Sequence, residues 1–166
     1  MNKPRMLKRS SETTSMPAPM ISKPQPIKPE TTANTGVGGS SLDNMVAACA
    51  MELMNARNSF HKLHLKVTGP GSFAAHKALG EFYEGLHGHA DTLVEGYQGV
   101  AEKILTYTDM PVRTLDTTAD GVGYLRDLYN IITKLQGMMP YSEIVNNLDL
   151  VKDSINSTKY KLLFLK

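Results

Sequence analysis

From residue 41 onward the apolar positions recur at helical spacing. Leu42, Val46, Cys49, Leu53, Ala56, Phe60, Leu63 and Val67 advance by steps of four and three. That stripe fits one face of an amphipathic helix and no strand. It predicts a first helix from about Ser41 to Thr68, stopped by Gly69-Pro70-Gly71. His76, Leu79, Tyr83, Leu86, Ala90, Leu93, Tyr97, Val100 and Ile104 repeat the pattern, and Ser72 offers an N-cap for a second helix. Five glycines fall inside it (Gly80, Gly85, Gly88, Gly96, Gly99), each costing ~0.8–1 kcal/mol relative to alanine. One long helix is expected all the same, with some of the glycines serving close helix contact.

Residues 106–120 read as a polar connection containing Pro111. A third helix follows from about Gly121 to Gly137, with Val122, Leu125, Leu128, Ile132 and Leu135 inward. A fourth runs from about Tyr141 to Leu165, with Ile144, Leu148, Val151, Ile155 and Leu162 inward. Two helices, a long connection and two more helices predict an all-α four-helix bundle with a crossover between the second and third. No strand pattern competes.

Charge divides the chain where the periodicity begins. Residues 1–41 hold Lys3, Arg5, Lys8, Arg9, Lys23 and Lys28 against Glu12 and Glu30, while residues 42–166 hold 12 bases against 14 acids, so the formal total of +2 is a sum of +4 and −2. Six of the nine prolines lie in the first part, and all the aromatics and histidines lie in the second. A segment of that composition buries too little apolar surface to offset its ordering entropy, so residues 1–40 are expected to form a flexible arm beside a bundle over 41–166. The single cysteine, Cys49, excludes an intrachain disulfide framework and suits a reducing, cytoplasmic setting. It falls on the core stripe, as a small packed residue would. Nothing has the length and apolarity of a membrane span.

All five histidines (His61, His64, His76, His87, His89) lie on the first two helices. With His76 at zero on a helical wheel, His87 falls at ~20°, Gly80 at ~40°, Asp91 at ~60°, Glu84 at ~80° and Glu95 at ~100°. Metal-ligating types therefore share one face. Along the axis, however, His76 and Asp91 are ~22 Å apart, far beyond the reach of bonds of about 2.0–2.2 Å to one metal ion. A single site then has to form between two chains. A two-fold dimer with this helix antiparallel to its copy would carry His76 of one chain to Asp91 and Glu95 of the other, twice by symmetry.

The stretch Leu63-His64-Leu65-Lys66-Val67-Thr68-Gly69-Pro70, followed by Phe73, His76, Tyr83, Leu86, Asp91 and Glu95, resembles the Dps family of mini-ferritins over about residues 55–97. The resemblance implies a ferritin-like four-helix bundle and an iron-oxidising centre shared by two-fold-related subunits. His64 and His76 would come from one chain and Asp91 and Glu95 from the other. Mixed imidazole and carboxylate ligation suits iron or zinc. Iron(II) would be oxidised there by peroxide or oxygen and stored as mineral in a homo-oligomeric shell of twelve subunits. Two positions depart from the family pattern: Leu65 stands for its Trp, and Gly80 stands where it offers a further carboxylate. A classical intrachain di-iron centre finds one Glu-x-x-His match, Glu84 to His87, and no histidine on the last two helices.

Two other roles follow from the arm. Its six bases, displayed many times on one shell, would bind nucleic acid by avidity, as basic tails of some Dps proteins do, and would place the protein at a bacterial nucleoid. Alternatively, as for ferritin-like proteins of bacteriophages, the arm would anchor a non-catalytic bundle on a virion or other larger particle.

Overall fold

The computed structural model describes residues 41–165. The arm expected over residues 1–40 lies outside the described residues. Four helices account for the described chain: α1 (Ser41–His64), α2 (Ser72–Ala101), α3 (Thr118–Gln136) and α4 (Ser142–Phe164), with no strand among the described residues. None of these helices is long and apolar enough to cross a membrane.

The stripes supply the core. Val46, Cys49, Leu53, Ala56, Phe60 and Leu63 of α1 are buried together with Leu79, Leu86, Leu93 and Tyr97 of α2. Leu125, Leu128, Ile132 and Leu135 of α3 and Ile144, Leu148, Val151 and Ile155 of α4 close the other side. Phe82, absent from the expected stripe, is also fully buried and meets the Phe60 ring edge-on at 4.9 Å. Each helix packs against two neighbours: α1 and α4 both touch α2 and α3.

Side-chain contacts give the directions. Tyr97, near the end of α2, reaches Asp43 at the start of α1, so these two helices are antiparallel. Gly121, near the start of α3, lies against Phe60 and Leu63 at the end of α1. Lys161, late in α4, bonds Glu81, early in α2. The segment between α2 and α3 therefore travels the length of the bundle. A hairpin, a long crossover and a second hairpin is the connectivity of ferritin-like bundles.

Several boundaries differ from the sequence expectation. α1 ends at His64, four residues before the expected Thr68, because the Lys66 amide turns back to the Leu63 carbonyl. Val67 is consequently half-buried beyond the helix. Ser72 is the first residue of α2 and caps nothing; the N-cap is Gly71 at φ 75°, a backbone conformation that favours glycine. α2 is unbroken through its five glycines and ends at Ala101, so Ile104, expected on its stripe, lies in the connection at 83% exposure. Val100 and His76, placed on that same stripe, are exposed too. α3 starts three residues before the expected Gly121. The Thr117 hydroxyl accepts from the Asp120 amide and the Asp120 carboxylate accepts from the Thr117 amide, a reciprocal capping box.

The crossover is pinned by polar contacts that no periodicity announced. The Asn55 amide donates to the Met110 carbonyl at 2.9 Å. Arg113 donates to Glu52 at 2.9 Å and to Asp127 at 2.6 Å while lying 4.1 Å over the Tyr124 ring. Glu52 is only 4% exposed, so Arg113 compensates a carboxylate taken out of water. At the far end Lys103 meets the buried Asp43 at 2.6 Å.

Candidate metal-ligating face

The end of α1 and the first turns of α2 bring two histidines into contact. Their rings stack with centroids 3.6 Å apart. His64 Nδ1 lies 2.8 Å from the His76 carbonyl oxygen, and His76 Nδ1 lies 3.1 Å from the His64 carbonyl oxygen. A carbonyl only accepts, so both Nδ1 atoms carry the proton and donate. In the neutral ring Nε2 is then the unprotonated nitrogen, the state a metal ligand requires. The same bonds tie α1 to α2 across the turn, since His64 is the last residue of α1 and its carbonyl has no partner further along that helix.

Gly80 sets the position of the pair. A Cβ there would lie 3.3 Å from His64 Cε1, so the imidazole rests against the bare backbone of α2. The position at which the sequence departs from the Dps pattern thus holds the His64 ring. Tyr83, one turn on, stacks on His61 at 4.3 Å and meets His64 edge-on at 5.3 Å. Neither His61 nor Tyr83 stood among the expected site residues; their wheel positions beside His64 and His76 were the available signal. An open hollow of about 440 Å³ is lined here by His64, Phe73, His76, Gly80 and Glu84, among others. Phe73, at 76% exposure, and Leu65, at 71%, leave apolar surface uncovered beside it.

The other two expected ligands lie elsewhere. Asp91 and Glu95 sit in the second half of α2, Asp91 half-exposed and Glu95 exposed. Asp91 meets His87 Nε2 at 3.5 Å, one turn back. Among the described residues no three His, Cys, Asp or Glu side chains cluster closely enough to hold a metal ion. One chain thus brings His64 to His76 and does not bring Asp91 or Glu95 to either. Burial pushes the Cys49 thiol up to about 12, with the nearby Glu52 adding to it, so this residue is a packing group and not a thiolate ligand.

A model of the DUF5856 family, described as a family of unknown function, matches residues 64–162. The chain belongs to this family. The match begins at His64 and contains His76, Asp91 and Glu95, so all four residues lie within the DUF5856 region. No curated protein and no solved structure matches the chain.

Proposed function

We propose that this DUF5856 protein binds iron(II) between two copies of the chain and oxidises it, as a mini-ferritin-like protein. The observation that carries the reading is the His64–His76 pair. Its two Nδ1–H groups are committed to carbonyls, which leaves Nε2 of each ring as the ligating nitrogen, and among the described residues no third ligand of the same chain completes a metal cluster. Asp91 and Glu95 supply the missing carboxylates from the second copy. Iron is the substrate: His64 and His76 hold it by nitrogen, and Asp91 and Glu95 offset its charge and favour the higher oxidation state. Zinc suits the same donors and would compete. Storage as mineral needs further assembly into a homo-oligomeric shell, for which native mass with metal content is the direct measurement.

Mixing experiments test the inter-chain arrangement. His64→Ala/His76→Ala chains and Asp91→Ala/Glu95→Ala chains should each oxidise iron(II) with peroxide far more slowly than wild type. Refolded together, they should regain activity, because a mixed dimer holds one complete site. Equal rates for wild type and both variants would remove the catalytic claim.

A second reading is favoured by Leu65 and Phe73, whose exposed apolar side chains flank the pair. They suit an interaction surface on a structural protein, for instance a particle component, that binds no iron. A native, metal-free protein with unaltered assembly in the two variants would support it. The nucleic-acid role of the arm rests on composition alone. Salt-sensitive DNA retention by the full chain, lost on deleting residues 1–40, is its test.

A further inference from the structure

Two helices and the crossover enclose a hollow that the metal-ligating face does not use. On α1, Met45, Ala48 and Cys49 follow at spacings of three and one, and on α3, Ile131 and Leu135 lie one turn apart, so each set shares one helix face. The fold sets these two faces against each other and lays Met110 of the crossover beside them, around an apolar hollow of about 190 Å³. Cys49 and Leu135 are buried, Met45 and Ile131 are half-buried, and Met110 is 37% exposed. Apolar side chains therefore border a space that no part of the described chain fills.

Polar contacts hold the crossover beside the hollow. The Met110 carbonyl accepts from the Asn55 amide at 2.9 Å, and Arg113 donates to Glu52 at 2.9 Å. Both bonds leave the Met110 side chain free to border the space. Two charged residues also line it. Glu52 has its charge met by Arg113. Lys134 is exposed and has no carboxylate partner among the described residues. The hollow thus offers apolar walls and, on its exposed side, an ammonium without a counter-charge. An apolar cavity of ~150 Å³ takes up benzene, so this one suits a hydrocarbon body of about six to eight carbons. Two methionines in the wall fit that role, because a flexible thioether adapts to the shape of what it meets.

We infer that this hollow binds a small amphipathic monocarboxylate, with its hydrocarbon body against Met45, Met110 and Ile131 and its carboxylate at Lys134. One ammonium matches one negative charge, and the carboxylate of Glu52 disfavours a dianion. Apolar burial strengthens binding roughly fourfold per methylene until the hollow is full. The inference goes beyond the metal reading, and depends neither on iron nor on a second copy of the chain.

Calorimetric titration of the full-length, metal-free protein with octanoate, butanoate and octan-1-ol is the test. Octanoate should bind once per chain, and butanoate roughly a hundredfold or more weaker. Lys134→Met should weaken octanoate about fivefold and leave octan-1-ol unchanged, since only the charge is lost. Ala48→Trp, at an exposed position, fills the hollow and should abolish binding of both, with its circular dichroism unaltered. Should that variant fold poorly, Met110→Ala keeps the carbonyl that Asn55 holds and should weaken both ligands about fivefold or more. His64→Ala/His76→Ala should bind octanoate as wild type does. A wild type without saturable octanoate binding overturns the inference. So does octanoate binding that Ala48→Trp and Met110→Ala leave intact, that the histidine variant loses, or that falls in Lys134→Met no further than octan-1-ol does.

Discussion

Gly80 and His64 form a lock of one bare backbone position and one ring. Adding a single carbon in Gly80→Ala puts it 3.3 Å from His64 Cε1, close enough to move the imidazole off its rotamer at a cost of about 0.5–1.5 kcal/mol. The expected result is a folded protein with iron(II) affinity reduced roughly two- to tenfold, measured by titration against wild type. Arg113 is the corresponding residue on the structural side. Arg113→Ala would leave Glu52, at 4% exposure, without its cation and should destabilise the bundle by about 3 kcal/mol. Adding Glu52→Gln removes the stranded charge and should recover part of that loss; a urea double-mutant cycle reads the coupling. Spacing and residue type made His64 and His76 recognisable as ligand candidates. The burial of Glu52 was not legible, because its neighbours Leu53 and Asn55 gave it an ordinary helical context and its partner lies in the crossover.

At the level of elements, α3 separates local from tertiary effects within one turn. Gly123 faces open space, whereas a Cβ at Gly121 would lie 2.9 Å from Leu63 Cδ2 and 3.5 Å from the Phe60 ring. Gly123→Ala should stabilise by about 0.8–1 kcal/mol through helix propensity. Gly121→Ala should instead destabilise by about 1–3 kcal/mol through overpacking, and thermal unfolding of the pair gives both signs. The start of α3 depends on Thr117, whose replacement by alanine should cost about 1 kcal/mol. Hydrogen bonds from the Thr117 hydroxyl, the Thr117 amide and the Asp116 amide hold the Asp120 carboxyl below its ordinary 3.8. The folded value is thus lower than the unfolded one. The contribution is complete above about pH 4 and is lost as pH falls through the lowered folded value. Amide exchange at the first turn of α3 should accelerate in that acid window in wild type and stay flat in Asp120→Asn.

At the scale of the whole molecule, the crossover decides what the bundle can expose. It is tied at both ends, by Lys103 to Asp43 and by Lys66 to Asp116, and between them by Asn55 and Arg113. Those bonds hold it on the α1 side of the bundle, where Asp43, Glu52, Asn55 and Lys66 lie, and it meets α2 at Gln98, beyond the exposed positions Phe73, His76 and Glu95. A helix face that the crossover leaves uncovered is what a site shared by two copies requires. In the oxidation assay the rate per chain should consequently fall on dilution below the dimer dissociation constant.

The four helices were decided by the sequence itself. Their hydrogen bonds join residues four apart, so the information is local, and the periodic Leu, Ile, Val and Phe positions carry it regardless of what packs against them. Glycine and proline marked the breaks for the same local reason, to within a few residues. Tertiary structure alone decided the rest. It ended α1 at His64, and it stacked that ring on His76 across a turn whose path depends on two glycines at positive φ, Gly69 and Gly71. It buried Asp43 and Glu52 beneath a crossover. It also left one face of α2 bare, because which side of a helix meets solvent is settled by where the neighbouring elements lie, and the spacing along one helix holds no record of them.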